Sequence, residues 1–133
     1  MYKSLNKCNN FSISPFNYNE YIKVFWVGLM DGDGSIQVNH WRYKSLQYRL
    51  VIKLSNIISN YNMLIKIAKV IGGNVRITGK GKEVIWVIND KEIVKKIIKI
   101  FDTYPLLTSR KICQLEFLKK CLFEKFSWLI HWE

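Results

Sequence analysis

The chain has 133 residues, which suffices for one hydrophobic core but leaves little room for a second domain. Apolar residues make up 49% of it, so an intrinsically disordered chain is excluded. The formal net charge of +11 indicates an anionic partner, with nucleic acid ahead of an acidic membrane surface. No apolar run approaches the roughly 20 residues that span a bilayer, and we expect no membrane partner.

The first part of the chain divides into an arm and a helix. Residues 1–16 show no clear period and are interpreted as an N-terminal arm. From Asn19 onward, apolar residues recur every three or four positions, which predicts a helix. Asn17 or Asn19 is its expected cap, and Gly32 and Gly34 mark its end.

The middle of the chain predicts two hairpins separated by a helix. Residues 35–41 and 46–54 alternate in polarity and are joined by a short link, as in an antiparallel hairpin. A helix over residues 60–71 is ended by two glycines. Two short strands over residues 74–78 and 84–88 follow, joined by a basic turn.

The last part of the chain predicts two further helices. Asp90 is a suitable cap for a helix that continues to Phe101. Pro105 then breaks the chain, and a helix runs from about Ser109 to Lys125 with Thr108 as a possible cap. Cys113 and Cys121 of this helix are expected to share one face.

The predicted order is α-β-β-α-β-β-α-α, an α+β domain over residues 17–127 with a tail at residues 128–133. Its four-stranded antiparallel sheet has the helices on one face. The other face is expected to carry polar and basic side chains, which makes it a candidate nucleic-acid surface.

The segment WVGLMDGDGS at residues 26–35 carries the most chemical information. Gly28 and Gly32 lie on one face of the predicted helix, where two glycines indicate close contact with another helix. Asp31 and Asp33 lie at the C-terminal end, where partial negative charge disfavours carboxylates. Either a solvated turn or a bound divalent cation accounts for these carboxylates, and the residues alone slightly favour the turn.

This segment resembles the LAGLIDADG motif of homing endonucleases and intron maturases, aligned without gaps. Trp26 and Val27 replace the leading Leu-Ala, and Gly32 replaces the Ala between the acids. The segments KEVIWV at residues 82–87 and FDTYPLLT at residues 101–108 also resemble family elements. The resemblance covers most of the chain, about residues 17–125.

The resemblance implies a saddle-shaped sheet and a site shared by two motif helices. Asp33 would bind Mg²⁺ or another divalent cation beside the main-chain carbonyl of Gly32, while Asp31 would cap or bond across the helix pair. One motif is half a site, which implies a homodimer; the alternatives are one half of a two-motif protein or a partner of another LAGLIDADG chain. The interface would be formed by Phe25, Gly28, Leu29 and Gly32.

The implied reaction is metal-dependent hydrolysis of both strands of a specific double-stranded DNA site. Family members use a Lys soon after the Pro-Leu element, where this chain has Arg110 followed by Lys111. Arg stays protonated and cannot serve as a base. Asn56 aligns with a polar catalytic residue at the end of the second strand. The alternative is a weakly active or inactive relative that binds intron RNA as a maturase or scaffold.

The expected DNA contacts combine base-reading side chains on the sheet with phosphate-binding lysines in the basic turn. They are Gln37, Asn39, Trp41, Gln47, Arg49, Lys53, Arg76, Thr78, Lys80 and Lys82. Residues with AT-rich codons are plentiful, which indicates an organellar genome, with a mitochondrion preferred over a plastid.

Overall fold

The computed structural model describes residues 17–41 and 45–123, with the Trp41 side chain left out. The elements in chain order are α1 (Tyr18–Asp33), β1 (Gly34–Trp41), β2 (Ser45–Ser55), α2 (Ile58–Ile71), β3 (Asn74–Thr78), β4 (Glu83–Ile88), α3 (Lys91–Ile97), α4 (Ile100–Thr103) and α5 (Ser109–Phe123). The predicted arm, the tail and residues 124–127 lie outside the described residues.

The strands form one antiparallel sheet in the order β1-β2-β4-β3. The two hairpins predicted from the sequence therefore lie side by side, joined through β2 and β4. Leu50 of β2 pairs with Ile36 of β1 on one side and Ile88 of β4 on the other. The predicted α+β class, element order and antiparallel sheet are confirmed.

Two predicted helix caps are present. The Asn17 side chain accepts a hydrogen bond from the backbone N–H of Glu20 at 3.2 Å, so Asn17, rather than Asn19, begins α1. The Asp90 side chain accepts from the N–H of Glu92 at 2.9 Å and begins α3. Each cap satisfies a backbone donor that has no partner within its own helix.

The core lies between the helices and one face of the sheet. Along β2, Tyr48, Leu50 and Ile52 point into it, in agreement with the predicted alternation. The fully buried Trp26 of α1 stacks on Phe101, with ring centroids 4.9 Å apart. Helix α1 is thereby fixed against the core along one face.

Two glycines between α2 and β3 make a close approach to the core possible. Gly73 has a φ of 99°, and a Cβ there would lie 2.7 Å from Nε1 of Trp86. The same Nε1–H donates to the carbonyl oxygen of Gly72 at 2.8 Å. This turn ends α2, as predicted, and also satisfies a buried indole.

The structure corrects two expectations in the last part of the chain. The predicted helix over residues 90–101 ends at Ile97 and resumes as α4, because the N–H of Phe101 bonds to the carbonyl of Ile98 three residues back. Cys121 is buried but Cys113 is exposed. Eight residues turn an α-helix about 80° past two full turns, which is enough to separate their surroundings.

None of the described helices is both long enough and apolar enough to cross a membrane.

Candidate active site and nucleic-acid interface

The exit from α1 is fixed by Gly34. Its backbone N–H donates to the carbonyl oxygens of Leu29 and Met30. A Cβ on Gly34 would lie 2.6 to 2.8 Å from the sulfur, Cα and carbonyl oxygen of Met30, so only glycine fits without a shift. The chain therefore passes directly from the acidic end of the helix into the first strand.

Asp33 is the last residue of α1, and its side chain is exposed. Within residues 17–41 and 45–123, its carboxylate makes no hydrogen bond or ion pair. A free carboxylate at the negative end of a helix suits a cation, and Mg²⁺ commonly takes one or two protein carboxylates together with phosphate oxygens. The described residues contain no group of three or more His, Cys, Asp or Glu that would hold a metal by themselves.

Asp31 has a different environment. Its carboxylate accepts hydrogen bonds from the backbone N–H groups of Leu107 at 3.0 Å and Thr108 at 3.1 Å, and from the Thr108 hydroxyl at 2.7 Å. Partial burial raises the pKa of this carboxyl, but the donated hydrogen bonds and the charge of Lys111 outweigh it, so the pKa lies below its ordinary value. Asp31 thus caps the two residues that precede α5 in its own chain by accepting their hydrogen bonds. A capping role is one of the two expected for it.

The two basic residues at the start of α5 differ in their contacts. Lys111 is half-buried, and its Nζ donates to the backbone carbonyl of Asp31 at 3.4 Å. Arg110 is exposed and has no ion pair or hydrogen bond within the described part of the chain. The structure therefore brings Lys111, the neighbour of the aligned position, to the acidic end of α1.

The polar face of the sheet carries most of the predicted DNA contacts. Gln37 pairs with Arg49 across β1 and β2, and Asn39 pairs with Gln47. Along β1, the Gln37 amide donates to the Ser35 hydroxyl at 2.9 Å and accepts from the Asn39 amide at 3.3 Å. The first hairpin thus presents a connected row of amide groups.

The second hairpin continues this face with cationic and hydroxyl side chains. Arg76 and Lys53 both pair with Ile85 of β4, one on each side, and Thr78 pairs with Glu83. The Lys53 ammonium lies 3.9 Å from the Glu83 carboxylate, and both side chains remain partly exposed. Trp41 is the last residue of β1, opposite Ser45.

This face is less polar than expected, because its centre is apolar. Val51, Ile85 and Val87 form a second buried cluster, separate from the main core. The half-buried Arg49 has a buried Nε without a hydrogen-bond partner in the described structure. The unbroken apolar run of β4 is the signal for this cluster, since such runs are typical of strands covered on both faces.

The basic turn between β3 and β4 is held by Asn56. The Asn56 side-chain amide donates to the carbonyl oxygen of Gly81 at 2.9 Å, and its backbone N–H donates to that of Lys82 at the same distance. Lys80 and Lys82 are exposed. Within the described part of the chain, Asn56 makes no hydrogen bond to the end of α1, and its contacts connect it to the turn. Asn56 and Gly81 are 25 residues apart in the chain, so local sequence patterns do not predict this contact.

An exposed stripe runs along α1. Gly28 and Gly32 are exposed, and a Cβ on either would meet no atom within 4 Å. Phe25 is 39% exposed and extends the stripe toward the N-terminus. Leu29, also predicted at an interface, is half-buried and packs partly against the core. The stripe is open to an approaching helix.

A protein-family model described as LAGLIDADG endonuclease matches residues 26–121. The chain belongs to the LAGLIDADG endonuclease family. The match extends from the second half of α1 into α5 and includes all the strands and helices between them. The resemblance recognised in the sequence is confirmed.

Relatives of this LAGLIDADG chain carry a shared name, "Probable intron-encoded endonuclease aI3". The protein from Debaryomyces hansenii is 62% identical over 117 residues, which cover 88% of this chain and 17% of the relative. The protein from Dictyostelium citrinum is 54% identical over 107 residues, which cover 77% of this chain and 44% of the relative. The chain spans less than half the length of these relatives.

The fold is also similar to solved structures. The group I intron-encoded homing endonuclease I-CeuI, complexed with DNA, superimposes with a TM-score of 0.67 and 14% sequence identity, covering 90% of this chain and 68% of that one. At this identity the likeness concerns the LAGLIDADG fold alone.

Proposed function

We propose that this chain forms half of a site-specific endonuclease that cuts both strands of DNA with a divalent metal. The observation that carries the proposal is the different environment of two acids in one motif. Asp31 is engaged by three hydrogen bonds from the approach to α5, whereas the Asp33 carboxylate is exposed and has no partner in the described structure. One acid is structural and the other is available to a ligand.

Asp33 would hold Mg²⁺ beside the Gly32 carbonyl, and the ion, when bound, would neutralise charge on the scissile phosphate and the leaving oxygen. We assign Lys111, of the two basic residues at the start of α5, to act with Asp33, and the support is its Nζ, which donates to the Asp31 carbonyl at the same end of α1. Its role would be to hold or activate the attacking water. Arg110 would stabilise anionic charge without accepting a proton.

The polar face of the sheet would bind the DNA. Its amide row on β1 and β2 suits adenine edges, and Arg49 and Arg76 suit guanine in the major groove. The basic turn between β3 and β4 would direct Lys80 and Lys82 to phosphates. These assignments rest on the common face that the strand register gives the predicted residues.

A second LAGLIDADG domain would complete the site, as a second copy of this chain, as another chain, or as the other half of a larger protein. Two features support this: the open glycine stripe on α1, and the greater length of the relatives. The intron-encoded relatives and the AT-rich coding bias support an organellar location, with a mitochondrion preferred.

The test uses a DNA duplex that spans the intron insertion site of the host gene, incubated with the protein and Mg²⁺. We expect double-strand cleavage by the wild type and a loss of roughly 10²-fold or more in Asp33→Asn, by analogy with the loss of other charge-stabilising groups. Glu116→Gln is the matched control, since Glu116 is exposed on α5. Duplex binding by Asp33→Asn, measured in parallel, separates a lost reaction from a lost complex.

The alternative is a relative that binds nucleic acid without cleaving it. It is motivated by Arg110 at the aligned catalytic position, because Arg cannot serve as a base. Equal activity of Asp33→Asn and the wild type would contradict the metal-binding role of Asp33. Metal-independent binding to the intron RNA, with no cut in the duplex, would favour the maturase or scaffold alternative.

A further inference from the structure

The turn that closes the β3–β4 hairpin has an unusual backbone. Gly79, Lys80 and Gly81 have φ angles of 60°, 57° and 88°. Among the described residues, Lys80 is the one non-glycine residue with a positive φ. This conformation is uncommon for residues other than glycine, because the Cβ crowds the backbone, and such outliers are found where the surroundings enforce them for a function.

Contacts from within and outside the hairpin enforce it. Within the turn, the N–H of Gly81 donates to the carbonyl of Thr78 and that of Lys82 donates to the carbonyl of Gly79, both at 3.2 Å. From outside, Asn56 donates its side-chain amide to Gly81 and its backbone N–H to Lys82, both at 2.9 Å. Asn56 thus bonds the segment between β2 and α2 to the second hairpin.

The cations of the turn are free for a ligand. Lys80 and Lys82 are exposed and have no ion pair in the described structure, while the nearby carboxylate of Glu83 lies against Lys53. Two unpaired ammonium groups on a fixed turn at the edge of a polar sheet face suit two phosphates of a nucleic-acid backbone.

We propose that Asn56 is a positioning residue that fixes Lys80 and Lys82 as a phosphate clamp. It acts through the turn and not on the reacting phosphate, in contrast to the catalytic role implied by its alignment. The proposal rests on the proposed DNA binding of this face. In this role, Asn56 affects the affinity for DNA and the number of ionic contacts, and it does not affect the rate of cleavage in the bound complex.

The experiment measures the affinity of the full chain for a DNA duplex at several KCl concentrations by fluorescence anisotropy, for the wild type, Asn56→Ala and Lys80→Asn. Asparagine tolerates the left-handed conformation and removes the cation. In a plot of the logarithm of the association constant against log [KCl], the magnitude of the slope falls by about 0.9 for each phosphate contact that is lost. We expect Lys80→Asn to lose about one contact, and Asn56→Ala to bind about tenfold more weakly with a loss of one or two contacts.

Asn60→Ala is the matched control. The Asn60 side-chain amide donates to the backbone carbonyl of Ser55 at 3.0 Å, so this variant loses a similar hydrogen bond near the same loop without touching the turn. Its salt dependence is expected to equal that of the wild type. The double variant Asn56→Ala/Lys80→Asn should lose less slope than the sum of the single variants, because both changes remove the same contact.

Single-turnover cleavage at saturating protein separates the two roles. If Asn56→Ala slows cleavage in the saturated complex while its salt slope stays that of the wild type, Asn56 acts at the reacting phosphate and the clamp is refuted. An unchanged slope in Lys80→Asn also refutes it, even if Asn56→Ala does not fold. If the wild type binds the duplex but does not cut it, the proposed endonuclease activity is contradicted. The salt slopes of the variants still test the phosphate clamp in that case.

Discussion

The carboxylate of Asp31 and the backbone N–H of Thr108 are 3.1 Å apart, although 77 residues separate them in the chain. This contact joins the acidic end of α1 to the start of α5. It brings Lys111 to the same place, with its Nζ 3.4 Å from the Asp31 carbonyl. The first acid of the motif therefore bonds the start of α5 to the end of the helix that also carries Asp33.

Replacing Asp31 should destabilise the fold. We expect Asp31→Ala to lower the free energy of unfolding by about 1–2 kcal/mol, the order expected when hydrogen bonds to a charged acceptor are lost, as measured by urea denaturation. Glu116→Ala, on the exposed side of α5, serves as control. A stability equal to that of the wild type would show that the Asp31 contacts contribute little.

The stabilisation from Asp31 should depend on pH. Its pKa is lowered in the folded protein, so the stabilisation is present above the ordinary pKa and is lost as pH falls through the folded value. The difference in urea midpoint between the wild type and Asp31→Asn should therefore shrink below about pH 4. A difference that stays constant down to about pH 2 would contradict this assignment.

The two basic residues of α5 should differ in their effect on cleavage. Lys111→Ala is expected to slow single-turnover cleavage by roughly 10²-fold, because it removes the basic group that contacts the end of α1. Arg110→Ala, the matched neighbour, should have a smaller effect, since Arg110 is exposed and has no described partner. A larger effect of Arg110→Ala than of Lys111→Ala would indicate that Arg110 is the catalytic residue.

The glycines that end α1 should respond oppositely to alanine. Gly34→Ala should cost about 1–3 kcal/mol of unfolding free energy, since its Cβ would overlap the backbone of Met30. Gly32→Ala should be neutral or stabilising by up to about 1 kcal/mol, because its Cβ meets no atom within 4 Å and alanine favours the helix. Urea denaturation of the pair measures both effects, and equal destabilisation would refute the packing argument.

The open stripe on α1 should matter for assembly and not for the fold of the single chain. Gly28→Leu should leave the unfolding temperature unchanged or raise it, as its Cβ meets open space. The same variant should weaken self-association and DNA cleavage, because leucine would prevent close approach of two helices. Light scattering with and without DNA measures the assembly, with Glu116→Leu as a surface control. Unaltered assembly and cleavage would indicate a solvent-exposed face.

Much of the fold was predictable because its signals are local. The alternation in β2, the Asn17 and Asp90 caps and the paired glycines after α2 each act within a few residues of the chain. The separation of Asp33 from Asp31 was predictable only through the family motif. Periodicity alone left both acids at one helix end, with a solvated turn as the simpler interpretation.

The element order, the antiparallel hairpins and the residues that share the polar face can be predicted from the sequence, since all follow from backbone periods of about 3.6 and 2 residues. The folded structure is needed to show which atoms meet. It placed Lys111 beside Asp31, bonded Asn56 to Gly81, and buried Val51 with Ile85 and Val87. These contacts depend on how distant segments pack, and local periodicity does not encode the distances between them.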